Sequence, residues 1–174
     1  MKTNYRAKAL RLLLGGLLLT GGLAALPASA VEKGTEAPEF DVSGQTANVK
    51  LSAYHGKLVY LDFWASWCGP CKKSFPWMND MQKRYGAQGL QVIAVNLDAK
   101  RTDALEFLSI VPVGFTIGFD PAGSVARSYG VKGMPSSVLI APDGHVIGMH
   151  EGFNDSDKAE LEDRIRTSLK LAKQ

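Results

Sequence analysis

Cysteine is nearly missing from this 174-residue chain: there are two, Cys68 and Cys71. Two cannot build the disulfide framework of a small secreted scaffold. Nor can they complete a structural zinc site, which takes four ligands, because the three histidines (His55, His145 and His150) are scattered. As a purely structural disulfide the pair would close so short a loop that it constrains the unfolded chain by only about 2 kcal/mol. No cysteine precedes residue 68, which argues against a lipid-anchored lipoprotein. The basic amino-terminal stretch has no adjacent arginine pair, which favours the general secretory route. After residue 30 there is no internal repeat, low-complexity tract or linker.

What is present begins with a leader. Lys2, Arg6, Lys8 and Arg11 form a positive region, Leu12 to Leu26 an apolar one, and Ala28-Ser29-Ala30 a small-residue cleavage site. Residues 1–30 are therefore expected to be a cleavable signal peptide, and the protein to be exported and soluble, in the periplasm. The alternative is an uncleaved membrane anchor, for which the apolar stretch is short against the roughly 20 residues a span needs. Four of the 20 basic residues and none of the 17 acidic ones lie before Val31, so the remainder carries 16 against 17, a net charge of −1. The basic balance of the whole chain belongs to the leader and gives no footprint for nucleic acid. Residues 31–174 suit one domain. In an exported setting, a lone reactive cysteine pair is either an oxidant or is kept reduced by an outside electron supply.

The informative stretch is Leu58 to Cys71, LVYLDFWASWCGPC. Leu58 to Trp64 is an apolar run rich in β-branched and aromatic residues and predicts a buried strand. Lys72 to Tyr85 predicts a helix, with Phe75, Met78, Met81 and Tyr85 at helical spacing and Pro76 as an expected kink. The cysteines thus sit where strand hands over to helix. Pro70 suits the first turn, where its missing N–H costs nothing. The free N–H groups and positive dipole end at Cys68 favour a thiolate, which is the nucleophilic form.

Along the rest of the chain, residues 40–42 and 48–51 read as a short hairpin, and residues 52–56 as a helical turn. Leu90 to Asn96 reads as a second buried strand. Thr102 to Ile110 reads as a helix with Thr102 as its cap, residues 114–119 as an extended piece, and Ser124 to Tyr129 as a short helix closed by Gly130. Ser136 to Ile140 and His145 to His150 read as a hairpin about Pro142-Asp143-Gly144. Asp157 to Ala172 reads as an amphipathic helix with Leu161, Ile165 and Leu169 inward and a capping box of Asp157 and Glu160.

DFWASWCGPC in this setting resembles the active site of the thioredoxin superfamily. The lead-in Ala37-Pro38-Glu39-Phe40, the hairpin and His55-Gly56-Lys57 resemble the exported TlpA/ResA-like branch. The resemblance covers essentially all of residues 31–174. It implies an α/β, thioredoxin-like fold: a mixed sheet flanked by helices, with an N-terminal β-hairpin extension and a central insertion over residues 98–119. It implies a thiol:disulfide oxidoreductase that needs no cofactor beyond the Cys68–Cys71 pair and no metal. In this reading Cys68 is the exposed attacker and Cys71 the buried resolver. Asp62, six residues before Cys68 and turned beneath the motif by strand alternation, is a buried general base. Pro135 is a cis-proline facing the cysteines, and Met134 offers its backbone to a substrate segment. Trp67, Gly69 and Pro70 complete the substrate contacts.

Between the cysteines, Gly69-Pro70 adds nothing that stabilises a thiolate beyond the helix end, and Lys72 and Lys73 help only weakly. On a scale running from about −270 mV for thioredoxin to about −120 mV for DsbA, this favours a reductant or isomerase. Expected partners are exported proteins with reducible disulfides, in cytochrome c or copper-site maturation or thiol repair, and a membrane electron donor of the DsbD/CcdA type, with the protein itself a monomer. Two departures stand out. ResA-like proteins carry a glutamate three residues after the second cysteine, where this chain has Ser74. Reductases of the CcmG type carry a glutamate directly after the cis-proline, where this chain has Ser136. Two other readings stay open. A copper(I) metallochaperone would use the soft thiolates with Met134 or His150 as a third ligand. A thiol peroxidase shares the APxF-like start but not the C-x-x-C setting.

Overall fold

The computed structural model describes residues 31–172, so the leader and its cleavage site lie outside the described residues. Seven strands form one mixed sheet. They are β1 (Asp41–Gly44), β2 (Val49–Lys50), β3 (Leu58–Trp64), β4 (Leu90–Asn96), β5 (Thr116–Phe119), β6 (Ser136–Ile140) and β7 (Val146–Glu151). Their order is β2-β1-β5-β4-β3-β6-β7. The central β3 and β4 are parallel and fully paired from Leu58↔Leu90 to Trp64↔Asn96. A strand flanked on both sides and covered on both faces is largely apolar, and every residue of β3 is buried, Asp62 included. The hairpin β1–β2 joins the sheet through β5, which lies between β1 and β4. The stretch expected as an insertion therefore supplies both a helix and the strand that links the lead-in to the core.

Alternation along β3 sorts the core into two layers. Leu58, Tyr60 and Trp64 pack with α1 (Gly69–Tyr85), α2 (Arg101–Ile110) and α4 (Asp157–Leu171). Val59, Leu61 and Phe63 pack with Ala37, Phe40, Leu51 and α3 (Ser124–Ser128). In the first layer Phe75 sits edge-on to Trp64, Phe107 and Phe115 at 4.8, 5.1 and 5.5 Å, geometry that aromatic quadrupoles favour. The opposite end of α1 is tied to α4: Arg84 and the Tyr85 hydroxyl both donate to Glu162, at 2.6 Å each. Halfway along, Asn79 donates to the Pro112 carbonyl and accepts from Gly114 N–H.

Three local expectations need correction. Helix α1 runs from Gly69, with Cys68 before it and Pro70 in its first turn as expected, so it starts three residues ahead of the Lys72–Tyr85 periodicity and runs on through Pro76. Thr102 is no cap: α2 starts at Arg101 with Lys100 before it. Arg101 donates to the Gly44 carbonyl at 2.7 Å and lies over the Phe119 ring at 4.1 Å, so tertiary contacts fix that helix start. The capping box of Asp157 and Glu160 does not form, because Ser156 is the residue preceding α4 and Asp157 accepts instead from Asn154 N–H.

Candidate active site

Strand β3 delivers the site. After Trp64 the chain turns through Ala65, Ser66 and Trp67, and Cys68 becomes the residue capping α1. Its sulfur accepts from Cys71 N–H at 3.3 Å, and Cys68 N–H donates to the Ala65 carbonyl. The two cysteines are joined in a disulfide with Cα atoms 5.3 Å apart. Pro70 stands in the first turn, which holds no acidic residue to oppose a thiolate. Trp67 is 72 % exposed, and Gly69 and Pro70 are exposed beside it. Cys68 departs from its expectation: only 4 % of it is exposed, against 0 % for Cys71. The order of accessibility holds, but Cys68 is a sulfur at the rim of the core rather than a projecting one, since it packs within the apolar layer beneath α1.

Asp62 lies on the same face of β3 as Tyr60 and Trp64, the face that α1 and Cys71 cover. It is 2 % exposed, and its Oδ2 has no hydrogen-bond partner. Loss of hydration penalises the ionised form, and burial raises its pKa well above the ordinary carboxylate range. A carboxylate so desolvated is a stronger base than an exposed one, which suits it to take a proton from a thiol.

The strand β6 runs antiparallel to β3, with Ser136 opposite Phe63. The loop before β6 therefore lies at the end of the sheet that carries Cys68. The Met134–Pro135 peptide bond is cis. The Pro135 carbonyl accepts from Gly152 N–H, while the N–H and C=O of Met134 take no backbone partner among the described residues. Met134 packs partly buried against the layer that contains both cysteines. His150 lies elsewhere, on β7 opposite Ser137 and beside Asp157. Among the described residues, no three His, Cys, Asp or Glu side chains gather as a metal site. No described helix is long and apolar enough to cross a membrane.

One residue of the site was not foreseen. Asp98 is 3 % exposed and accepts three hydrogen bonds: from Ser66 N–H at 2.9 Å, from the Ser66 hydroxyl at 3.0 Å and from the Asn96 side chain at 2.8 Å. It therefore holds the turn that presents Cys68. The available signal was a pair of polar residues, Asn96 and Asp98, closing an otherwise apolar strand.

A Redoxin family model matches residues 32–165. The chain belongs to the Redoxin family. Curated Redoxin relatives include the thiol-disulfide oxidoreductase ResA of Bacillus thuringiensis subsp. konkukian (strain 97-27). It is 34 % identical over 137 residues, 78 % of each protein. ResA of Bacillus subtilis (strain 168) is 34 % identical over 126 residues, 71 % of this chain and 69 % of that protein. Among solved structures, a candidate thiol:disulfide interchange protein DsbE from Chlorobium tepidum superposes with a TM-score of 0.80 at 56 % identity, covering 80 % of this chain and 99 % of that one. This Redoxin chain is a ResA/TlpA-like thiol:disulfide oxidoreductase of the thioredoxin superfamily, with Cys68 and Cys71 as its redox pair.

Proposed function

We propose that the protein reduces disulfides in other exported proteins, in the periplasm after loss of residues 1–30. Cys68 is the attacking thiolate in this reading and Cys71 the resolving thiol. The observation that carries it is the placing of the unpartnered Asp62 carboxyl on the buried face shared with Cys71. Attack of Cys68 on a client disulfide forms a mixed disulfide and expels one client thiolate. Cys71 then passes its proton to Asp62, attacks Cys68 and expels the second thiolate. The client gains two electrons and the pair becomes a disulfide. No cofactor enters, so a membrane electron donor of the DsbD/CcdA type must return the pair to the dithiol. Trp67, Gly69 and Pro70 form the exposed contact surface. The free backbone of Met134, set by Pro135, pairs with an extended client segment. The reducing direction is supported by the Gly69-Pro70 spacer, which adds no cation, and by the exposure of Lys72 and Lys73. Apocytochrome c, thiols of copper-site assembly factors and damaged exported thiols are all clients of this chemistry.

Trapping tests the roles. Cys71→Ser should accumulate client mixed disulfides in envelope extracts run without reductant, and Cys68→Ser should accumulate few. Equal trapping by both overturns the assignment. No trapping by either, with one copper(I) bound per chain, transfers it to a metallochaperone. Equilibration with a thiol buffer gives the potential, and a value near that of DsbA would reverse the direction.

A further inference from the structure

The sheet places three polar residues abreast on the face that carries Asp62. In the register, Asp62 of β3 is opposite Ser137 of β6, and Ser137 is opposite His150 of β7. Residues paired in this way point to one side, with Cβ atoms about 4.5–5.5 Å apart. The side is the one covered by α1 and α4, since Tyr60 and Leu139 on the same strands belong to that layer. Both ends of the row are unsatisfied: Asp62 Oδ2 and His150 Nε2 are buried without a hydrogen-bond partner. Ser137, 5 % exposed, stands between them with a hydroxyl that both donates and accepts. On its other flank Asp62 faces Ala94, which can carry no proton. The His150 side chain keeps 22 % of its surface exposed although Nε2 is buried, so the imidazole spans from interior to solvent.

We propose that Ser137 and His150 form the exit path by which the proton taken from Cys71 leaves Asp62 for solvent. This rests on the reading of Asp62 as the proton acceptor. In the resolving step the Cys71 S–H bond breaks as the Cys71–Cys68 bond forms, and the Cys68–client bond breaks with its electron pair leaving on the client sulfur. The proton moves to Asp62, then by exchange through the Ser137 hydroxyl to the imidazole, and on to water, from which the client thiolate is reprotonated. Without an exit Asp62 would remain protonated and could not accept again.

The groups facing His150 fit a relay. From α4, Asp157 comes within 3.5 Å of Nε2. From α1 the layer contributes Trp77, which does not titrate and packs on Tyr60 at 5.5 Å. On α4, Lys158 pairs with Asp155 at 2.6 Å. From β3, Tyr60 lies beside Ser137. Burial first, and then the charge of Asp62, push its phenol well up against an opposing hydrogen bond with Ser137, so Tyr60 stays neutral and shares the Ser137 hydroxyl without being a rival acid.

Reaction of the reduced full chain with a chromogenic aryl disulfide reads the two steps apart. The first release of aryl thiolate reports attack by Cys68, and the second reports resolution by Cys71. His150→Gln and Ser137→Ala should each slow the second release on the order of tenfold, short of the roughly 10²–10⁴-fold of a group acting directly. Added imidazole should restore the rate of His150→Gln, and Ser137→Thr should recover most of what Ser137→Ala loses. Asp62→Asn should slow the second release further, without rescue by imidazole, and adding His150→Gln to it should change nothing more. A slow Asp62→Asn beside unslowed His150→Gln and Ser137→Ala overturns the relay and spares the role of Asp62. An unslowed Asp62→Asn overturns both. Slow variants that imidazole and Ser137→Thr fail to rescue show packing damage and also overturn the relay.

Discussion

Replacing Asp98 separates the geometry of the turn from its charge. In the native turn the Asp98 carboxylate satisfies two donors through Oδ2, Ser66 N–H and the Asn96 amide, and one through Oδ1, the Ser66 hydroxyl. Asp98→Asn can place its single carbonyl oxygen where Oδ2 was and keep the first two bonds. Its amide then faces the Ser66 hydroxyl, which can rotate to accept. All three contacts survive, and the loss is the charge assistance of two of them, about 1 kcal/mol each. Asp98→Ala keeps none. It strands the half-buried Ser66 N–H and the buried Asn96 amide, each at about 1–3 kcal/mol, for a total of about 4 kcal/mol. Urea unfolding of the two variants should therefore differ by about 2 kcal/mol. The rate of the first aryl thiolate release should fall on the order of tenfold or more for Asp98→Ala, because a shift of the turn misplaces Cys68. If the alanine variant costs under about 1 kcal/mol, or if asparagine is as harmful as alanine, the claim that Asp98 holds the turn by these bonds is wrong.

Asp62→Asn should also stabilise the protein at neutral pH. The folded-state pKa of Asp62 is raised by burial, so the folded protein binds this proton more tightly than the unfolded chain does. Its contribution is most favourable below the ordinary carboxylate range and is lost as pH rises towards the folded pKa. Wild type and Asp62→Asn should converge in stability in acid and diverge through that window, at about 1.4 kcal/mol per unit separating the two pKa values. Parallel stability curves across pH would show that Asp62 is not buried ionisable. Export predicts that protein isolated from the envelope begins at Val31, and an intact Met1 in the membrane pellet would make it an anchored protein instead.

The sequence was most legible where one physical demand acted alone. Strands β3, β4 and β6 are mostly apolar and almost wholly buried, and their bounds match the expected ones from residue to residue. The helix ends were less legible because side chains there had other partners. Thr102 lost the start of α2 to the hold of Arg101 on Gly44 and Phe119, contacts that span 57 and 18 residues of sequence. Asp157 was bound by Asn154 and faced His150, so it could not close a capping box. The place of β5 between β1 and β4 rests on pairings distant in sequence, which no local pattern encodes. At the site, C-x-x-C and Asp62 were visible because each is unusual for its context, and Pro135 was placed by the resemblance to thioredoxin-like proteins. Asp98 was not, because an aspartate after a strand reads as ordinary loop chemistry until its three donors are seen.

Helix α1 is held at its far end by Glu162 and at its middle by Asn79. Its inner face is wedged among aromatic rings around Phe75. A helix fixed along so much of its length leaves its first turn as the part able to answer the making and breaking of one sulfur–sulfur bond. Electron donor and client would then meet nearly the same outline, formed by Trp67, Gly69, Pro70 and Met134. In the cycle proposed above, shape would not tell the two encounters apart, and they would compete for one surface. The order of the cycle is set by which partner still has a bond, or a pair of thiols, left to exchange.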